Sequence, residues 1–214
     1  MPAIVDFRQG VKDQRVALRH VSWETYEHLL ADHLDASSPR FTYDRGTLEI
    51  MSPSIEHEKL KEILAAIADV MAEEWQVEFQ RLGSTTFRRS DLDRGLEPDS
   101  CFYIQNVEAI RGKQQIDLRV DPPPDLVIEI EITSPLLDKI QIYAQLGVPE
   151  IWRYDGRDVS ILRPAHGRYE SSSQSGVLSS LSQSILSGFV EQSKTLTTLA
   201  WRRTVRSWAR EQLR

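Results

Sequence analysis

The sequence predicts an α/β or α+β fold in which a mixed sheet carries helices on its faces. Three observations predict it: a helical pattern near the start, a β-rich middle that reads as antiparallel, and a later strand–helix–strand unit. With 214 residues, the chain suits one domain and can bury a sizeable core.

The elements follow in order. "VALRHVS" (Val16–Ser22) reads as a short strand. "SWETYEHLLADHL" reads as a helix, with Ser22 as N-cap and Trp23, Tyr26, Leu29 and Leu30 at helical spacing. "RFTYDRGTLEIM" has hairpin form, two β-prone runs around Asp44-Arg45-Gly46. The strongest helix is "SPSIEHEKLKEILAAIADVMAEEW". Ser54 caps it, Glu56 and Glu58 suit the positive end of its dipole, and Leu60, Ile63, Leu64, Ile67, Met71 and Trp75 make one apolar stripe. Short β-prone runs follow: "QVEFQRLG", "STTFRR", "GLEPDSCFYI" and "DPPPDLVIEIEIT". "SPLLDKIQIYAQLG" offers a helix that Ser134 caps and Gly147 ends. "VPEIWRYDG" and "DVSILRP…GRYES" read as further strands, residues 171–187 as a serine-rich loop, and 188–214 as a helical extension packing on the same domain. In its tail, Leu199, Val205, Trp208 and Leu213 are available for packing. Its arginines (Arg202, Arg203, Arg206, Arg210, Arg214) read as a solvated face before they read as a DNA arm.

Composition excludes several classes. The 40% hydrophobic and 27% charged content is that of an ordinary globular protein, and no apolar run approaches the roughly 18 residues of a membrane helix. "MPAIVDFRQG" lacks the apolar core of a secretion signal. The single Cys101 excludes an internal disulfide and a cysteine-rich zinc site, so a cytoplasmic setting is expected. A net charge of −6 argues against a nonspecific nucleic-acid coat protein, though not against a local basic groove.

The chemistry concentrates around Glu129 and Glu131. On a strand they share a face and lie about 6.6 Å apart, whereas Asp125 is about 13 Å from Glu129 and too far to share its ion. Asp99, which follows Pro98 on an earlier strand-like run, can be brought beside Glu129 by strand pairing. Hard oxygen donors of this kind suit Mg²⁺ or Mn²⁺, which lower the pKa of a bound water and stabilise charge on a phosphodiester. Lys139, on the following helix, can supply the cation that such a site lacks.

"EPD", then "PDLVIEIEITS", then "LDKIQIYAQLGVPEIWRYD" resembles the Uma-two family of endonucleases, of the restriction-endonuclease-like superfamily. The resemblance runs from about Tyr43 to Asp155. It implies a restriction-endonuclease-like mixed sheet flanked by helices over residues 1–170, with a helical C-terminal tail. It also implies a Mg²⁺ (or Mn²⁺) site at Asp99 and Glu129 and DNA as substrate. The superfamily signature is Pro-Asp, a spacer, then Asp/Glu-x-Lys, and here Glu131 stands at the lysine position. Lys139 matches a displaced lysine through its K-x-x-x-Y spacing to Tyr143.

Each residue also has a bland reading. Asp99 can begin a turn, Glu131 can face solvent at a strand end, Lys139 can be a solvated helix residue, and His57 can be a capping residue. Two alternatives to the nuclease stand: an inactive nuclease fold kept as a binding module, and a metal-dependent hydrolase of another phosphate-containing substrate. A homodimer is expected, on the aromatic surface offered by "EIWRYD" and the tail.

Overall fold

The computed structural model describes residues 12–33 and 38–213. The stretch 1–10, the end of the first expected helix at Leu34, and Arg214 lie outside the described residues. The elements are β1 (Gln14–Arg19), α1 (Trp23–Asp32), β2 (Arg40–Asp44), β3 (Thr47–Ser52) and α2 (Ile55–Glu74). Then come β4 (Gln80–Arg81), β5 (Phe87–Arg89), β6 (Arg94–Leu96), β7 (Ser100–Tyr103), the single turn α3 (Val107–Ile110) and β8 (Leu126–Ile130). The chain continues through α4 (Lys139–Leu146), β9 (Ile151–Tyr154), β10 (Val159–Ala165), β11 (Arg168–Ser172), α5 (Gln183–Ser193) and α6 (Thr198–Glu211).

The strands divide between two sheets. One is antiparallel, in the order β1-β3-β2-β6-β5; the other is mixed, in the order β11-β10-β9-β8-β7-β4. In the second, β8 and β9 are parallel. Parallel neighbours cannot be joined by a tight turn, so the chain crosses over through α4. The helices begin and end where local chemistry dictates. The Ser22 and Ser54 side chains accept from the amides of Thr25 and His57, and Gly147 closes α4 in the left-handed region at φ 79°. The β2–β3 hairpin turns on Arg45 and Gly46, both at positive φ.

One face of α2 (Leu64, Ile67, Met71) packs on Ile128 and Ile130 of β8 together with Leu186, Phe189, Trp201 and Val205 of α5 and α6. The opposite face of β8 presents Val127 to a second cluster. That cluster joins Phe87 and Leu96 of the first sheet to Cys101, Tyr103, Ile142 and Tyr143. The two sheets therefore share a core, and their polar seam lies at the C-terminal end of β8.

Several expectations are corrected. Ser134 does not cap α4; Asp138 does, accepting from the amides of Ile140 and Gln141, so Lys139 opens the helix instead of sitting a turn inside it. The cause is tertiary: the Leu136 and Leu137 amides are taken by Glu49, which keeps that stretch out of the helix. Residues 171–187 are not all loop, because Ser182 caps α5 and Ser175 and Gly176 are tied to buried Glu150. In the tail, Val205 is buried and Trp208 packs partly, but Leu199 and Leu213 are exposed. Trp152, Tyr154 and Trp201 are buried and Trp208 is half-buried, so the aromatic residues on which a homodimer was expected serve mainly the core. Arg206 and Arg210 pair with Glu73 and Glu74 on α2.

Gly95 of β6 marks a close approach. A Cβ there would lie 2.4 Å from the Tyr26 hydroxyl oxygen, and the Tyr26 ring is stacked on Tyr43 at 4.9 Å. Gly95→Ala is therefore expected to destabilise the protein by about 1–3 kcal/mol through overpacking, read as a lower urea midpoint. An unchanged midpoint would mean that the Tyr26 ring yields.

Candidate metal centre

Strand pairing builds the site. β7 and β8 are antiparallel with Ser100 opposite Ile128, so extending the register by one residue puts Asp99 opposite Glu129. Opposite residues on such a ladder lie about 5 Å apart at Cα. Asp99 Oδ2 accepts from the Ile130 amide at 2.6 Å, which ties its carboxylate to the strand that carries Glu129. Asp125 is confirmed as separate: it accepts from the amides of Ile104 and Asn106 and from Asn106 Nδ2, closing a turn.

Glu129 is buried. Its Oε2 accepts from Lys139 Nζ at 2.8 Å and its Oε1 from the Tyr143 hydroxyl. Lys139 and Tyr143 are four residues apart on α4, and so on one helix face, which turns both toward the same carboxylate. Lys139 is only 5% exposed, which overturns its reading as a solvated residue. Burial, and then the Glu129 charge, push the Tyr143 hydroxyl well above its ordinary pKa, so it keeps its proton and remains a donor.

Glu131 behaves differently. It stands one residue beyond the end of β8, with Arg153 Nη1 3.8 Å away. Burial, and then the nearby Glu129 charge, raise its pKa. Among the described residues, no three His, Cys, Asp or Glu side chains come together as a preformed metal cage.

Sequence reasoning singled out His57 but missed Arg40 and Glu49, which reach the site from the first sheet. Arg40 of β2 is buried; it pairs with Asp99 Oδ1 and donates from Nη2 to Glu58 at 2.5 Å. His57, fully buried in the first turn of α2, lies 2.8 Å from Asp99 Oδ1 through Nε2 and 3.0 Å from Asp13 Oδ2 through Nδ1. Its Nε2 also lies 3.2 Å from Arg40 Nη1, so Arg40, His57 and Asp99 form one buried polar cluster. On β3, Glu49 is paired with Arg15 and accepts the Leu136 and Leu137 amides at 2.5 and 3.1 Å, anchoring the loop that leads into Lys139.

The donor set fits a hard divalent ion. A carboxylate offers about four lone-pair directions. Asp99 uses three, on Ile130, His57 and Arg40, and Glu129 uses two, on Lys139 and Tyr143, so both keep capacity. Two carboxylates completed by water and a substrate phosphate are the usual way of holding Mg²⁺. Zinc is poorly matched: both His57 nitrogens are engaged, and burial pushes the Cys101 thiol up to about 12.

Asp13 gives the site a pH signature. Burial alone would raise its pKa, but hydrogen bonds from His57 and the Ser54 amide, with the His57 charge, outweigh that and hold it well below the usual carboxylate range. A depressed carboxyl stabilises the fold fully above its ordinary value of 3.8, and that contribution is lost as pH falls through the lower folded value. Urea midpoints of wild type are accordingly expected to fall more steeply below pH 3.8 than those of Asp13→Asn. Parallel curves would remove Asp13 from the network.

A crossover-linked mixed sheet flanked by helices, with Pro-Asp and Glu facing each other on adjacent strands, defines the restriction-endonuclease-like class. The chain belongs to the Uma2 family, described as "Putative restriction endonuclease", which matches residues 23–198. By that description it falls among the nucleases. Among solved structures it is similar to a protein from Anabaena variabilis ATCC 29413 titled "putative nuclease belonging to DUF820". The TM-score is 0.49 and the identity 19%, over 75% of this chain and 98% of that one. No curated protein matches the chain. No helix among the described residues is long and apolar enough to cross a membrane.

Proposed function

We propose that the protein is a Mg²⁺-dependent endonuclease that hydrolyses DNA phosphodiester bonds, with Mn²⁺ able to substitute. Asp99 and Glu129 hold the ion, and Lys139 is the displaced catalytic lysine. The observation that carries this reading is the 2.8 Å contact of Lys139 Nζ with Glu129 Oε2, on a strand to which the Asp99 carboxylate is also bonded. When bound, the ion supplies an activated water and stabilises charge on the phosphodiester. Lys139 presents a compact positive charge to a phosphate oxygen next to the carboxylates. The Tyr143 hydroxyl fixes the second oxygen of Glu129 and sets its orientation, while Arg40 and His57 fix Asp99. Glu131, beside Arg153, is a further oxygen donor near the ion and is assigned a supporting place only.

A second reading is favoured by one observation. Asp99 is already engaged by Arg40, His57 and Ile130, as expected of a nuclease fold retained for binding without cleavage. Plasmid cleavage assays with Mg²⁺, Mn²⁺ or chelator, on wild type and Glu129→Gln, separate the two. Metal-dependent cleavage that Glu129→Gln abolishes supports the nuclease. DNA binding without cleavage under any metal supports the binding module. Cleavage of phosphate-containing substrates other than DNA would point to a different hydrolase.

A further inference from the structure

We propose that the cleft between the β1 end, the β2–β3 hairpin and the loop before α4 binds the phosphate backbone of DNA next to the scissile position. The cleft has a volume of about 350 Å³ and is lined by Arg19, His20, Arg45, Gly46, Thr47, Leu136 and Leu137. The inference rests on the DNA reading above and deepens it by giving the substrate strand a path.

Three features of the cleft carry it. Its rim carries two guanidinium groups in a chain of net charge −6: Arg19 and Arg45 are both exposed, and among the described residues Arg19 has no ion-pair partner. Arg45 shares one carboxylate, Asp44, with Arg94, so that acid cannot neutralise both. The rim is also rigid. His20 and Arg45 sit at positive φ in two turns, which are joined by the Val21 amide donating to the Gly46 carbonyl at 2.9 Å. The Arg45 amide donates to the Asp93 carbonyl, also at 2.9 Å, which anchors the hairpin tip from the other side. Finally, the opposite wall is coupled to the metal centre. Leu136 and Leu137 are held by buried Glu49 and lead within two residues to Lys139, so a strand lying in the cleft is delivered to the lysine. Guanidinium groups suit this task because they donate bidentately to phosphate oxygens.

The test is the salt dependence of binding, measured by fluorescence anisotropy with the full chain, a short labelled DNA duplex and Ca²⁺ or chelator to prevent cleavage. Each phosphate contact contributes about −0.9 to the slope of log K against log salt. The Arg19→Gln, Arg45→Gln double variant is expected to reduce the magnitude of that slope by about 2, and to weaken binding about tenfold or more at low salt. The melting temperature should be unchanged, since both side chains are exposed. Arg202→Gln, Arg203→Gln on α6 makes the same change in net charge at an exposed surface outside this cleft and should leave the slope nearly as in wild type. An unchanged slope in the first variant, an equal loss in the second, or no DNA binding by wild type would overturn the proposal. Wild-type binding that follows these expectations without any cleavage would leave the cleft standing and sink only the nuclease reading.

Discussion

Lys139→Ala is expected to slow DNA cleavage by about 10² or more, the order found on losing one positioned electrostatic stabiliser. Its ammonium is 2.8 Å from Glu129 Oε2, and both side chains are buried, so the substitution also strands a carboxylate inside the protein. Breaking a buried pair by removing one partner costs about 3–5 kcal/mol. The same logic predicts how metal responds. With the lysine gone, a divalent cation becomes the remaining neutraliser of Glu129, and Mg²⁺ should raise the melting temperature of Lys139→Ala more than that of wild type. Equal metal shifts, or a variant as stable as wild type without metal, would show that Glu129 is neutralised in some other way. Glu131→Lys in the Lys139→Ala background restores the superfamily's usual residue two positions beyond Glu129. Partial return of cleavage there, with the melting temperature still lowered, would assign the loss to the missing charge and not to misfolding.

Asp99→Ala is expected to be the most damaging single change in the network. Asp99 is the common partner of Arg40, His57 and the Ile130 amide, all in the interior. Its loss leaves the Arg40 guanidinium with Glu58 as its one carboxylate partner and the His57 ring with Asp13 as its own, at a cost again of about 3–5 kcal/mol. Arg40 has little slack, since its Nε already has no hydrogen-bond partner. The loss should therefore appear as a lowered denaturation midpoint with or without metal. Asp99→Asn, of the same shape, should retain the Ile130 contact and recover part of the stability but none of the cleavage. If Asp99→Ala unfolded at the wild-type midpoint, the polar seam would be solvated and the buried network would be wrong.

Much of the centre was legible because its information is local. Pro98-Asp99 and the K-x-x-x-Y spacing of Lys139 and Tyr143 were marked by the family resemblance, whereas the alternation that separates Glu129 from Ile128 and Ile130 follows from strand periodicity. The caps at Ser22 and Ser54 and the turn at Arg45-Gly46 were legible for the same reason. The contribution of the first sheet was not. Phe41 and Tyr43 alternate with Arg40 and Thr42, a pattern that reads as one buried and one solvated face. Here the polar face instead covers a polar site on the second sheet, and alternation does not distinguish water from a buried carboxylate. Glu49 lies on the same sheet, and its reach to the loop before α4 left no local signal, so the start of α4 was misplaced. Ser134-Pro135 has the form of a helix start, but the amides of Leu136 and Leu137 find their acceptor on a strand 87 and 88 residues away.

The most direct test of the central claim is calorimetric titration of Mn²⁺ into wild type, Asp99→Asn and Glu129→Gln, each first checked for a cooperative melt. The two-carboxylate centre predicts saturable binding to wild type that is lost or strongly weakened in both variants. Binding of the same affinity and stoichiometry in all three would contradict it, and would move the ion away from Asp99 and Glu129.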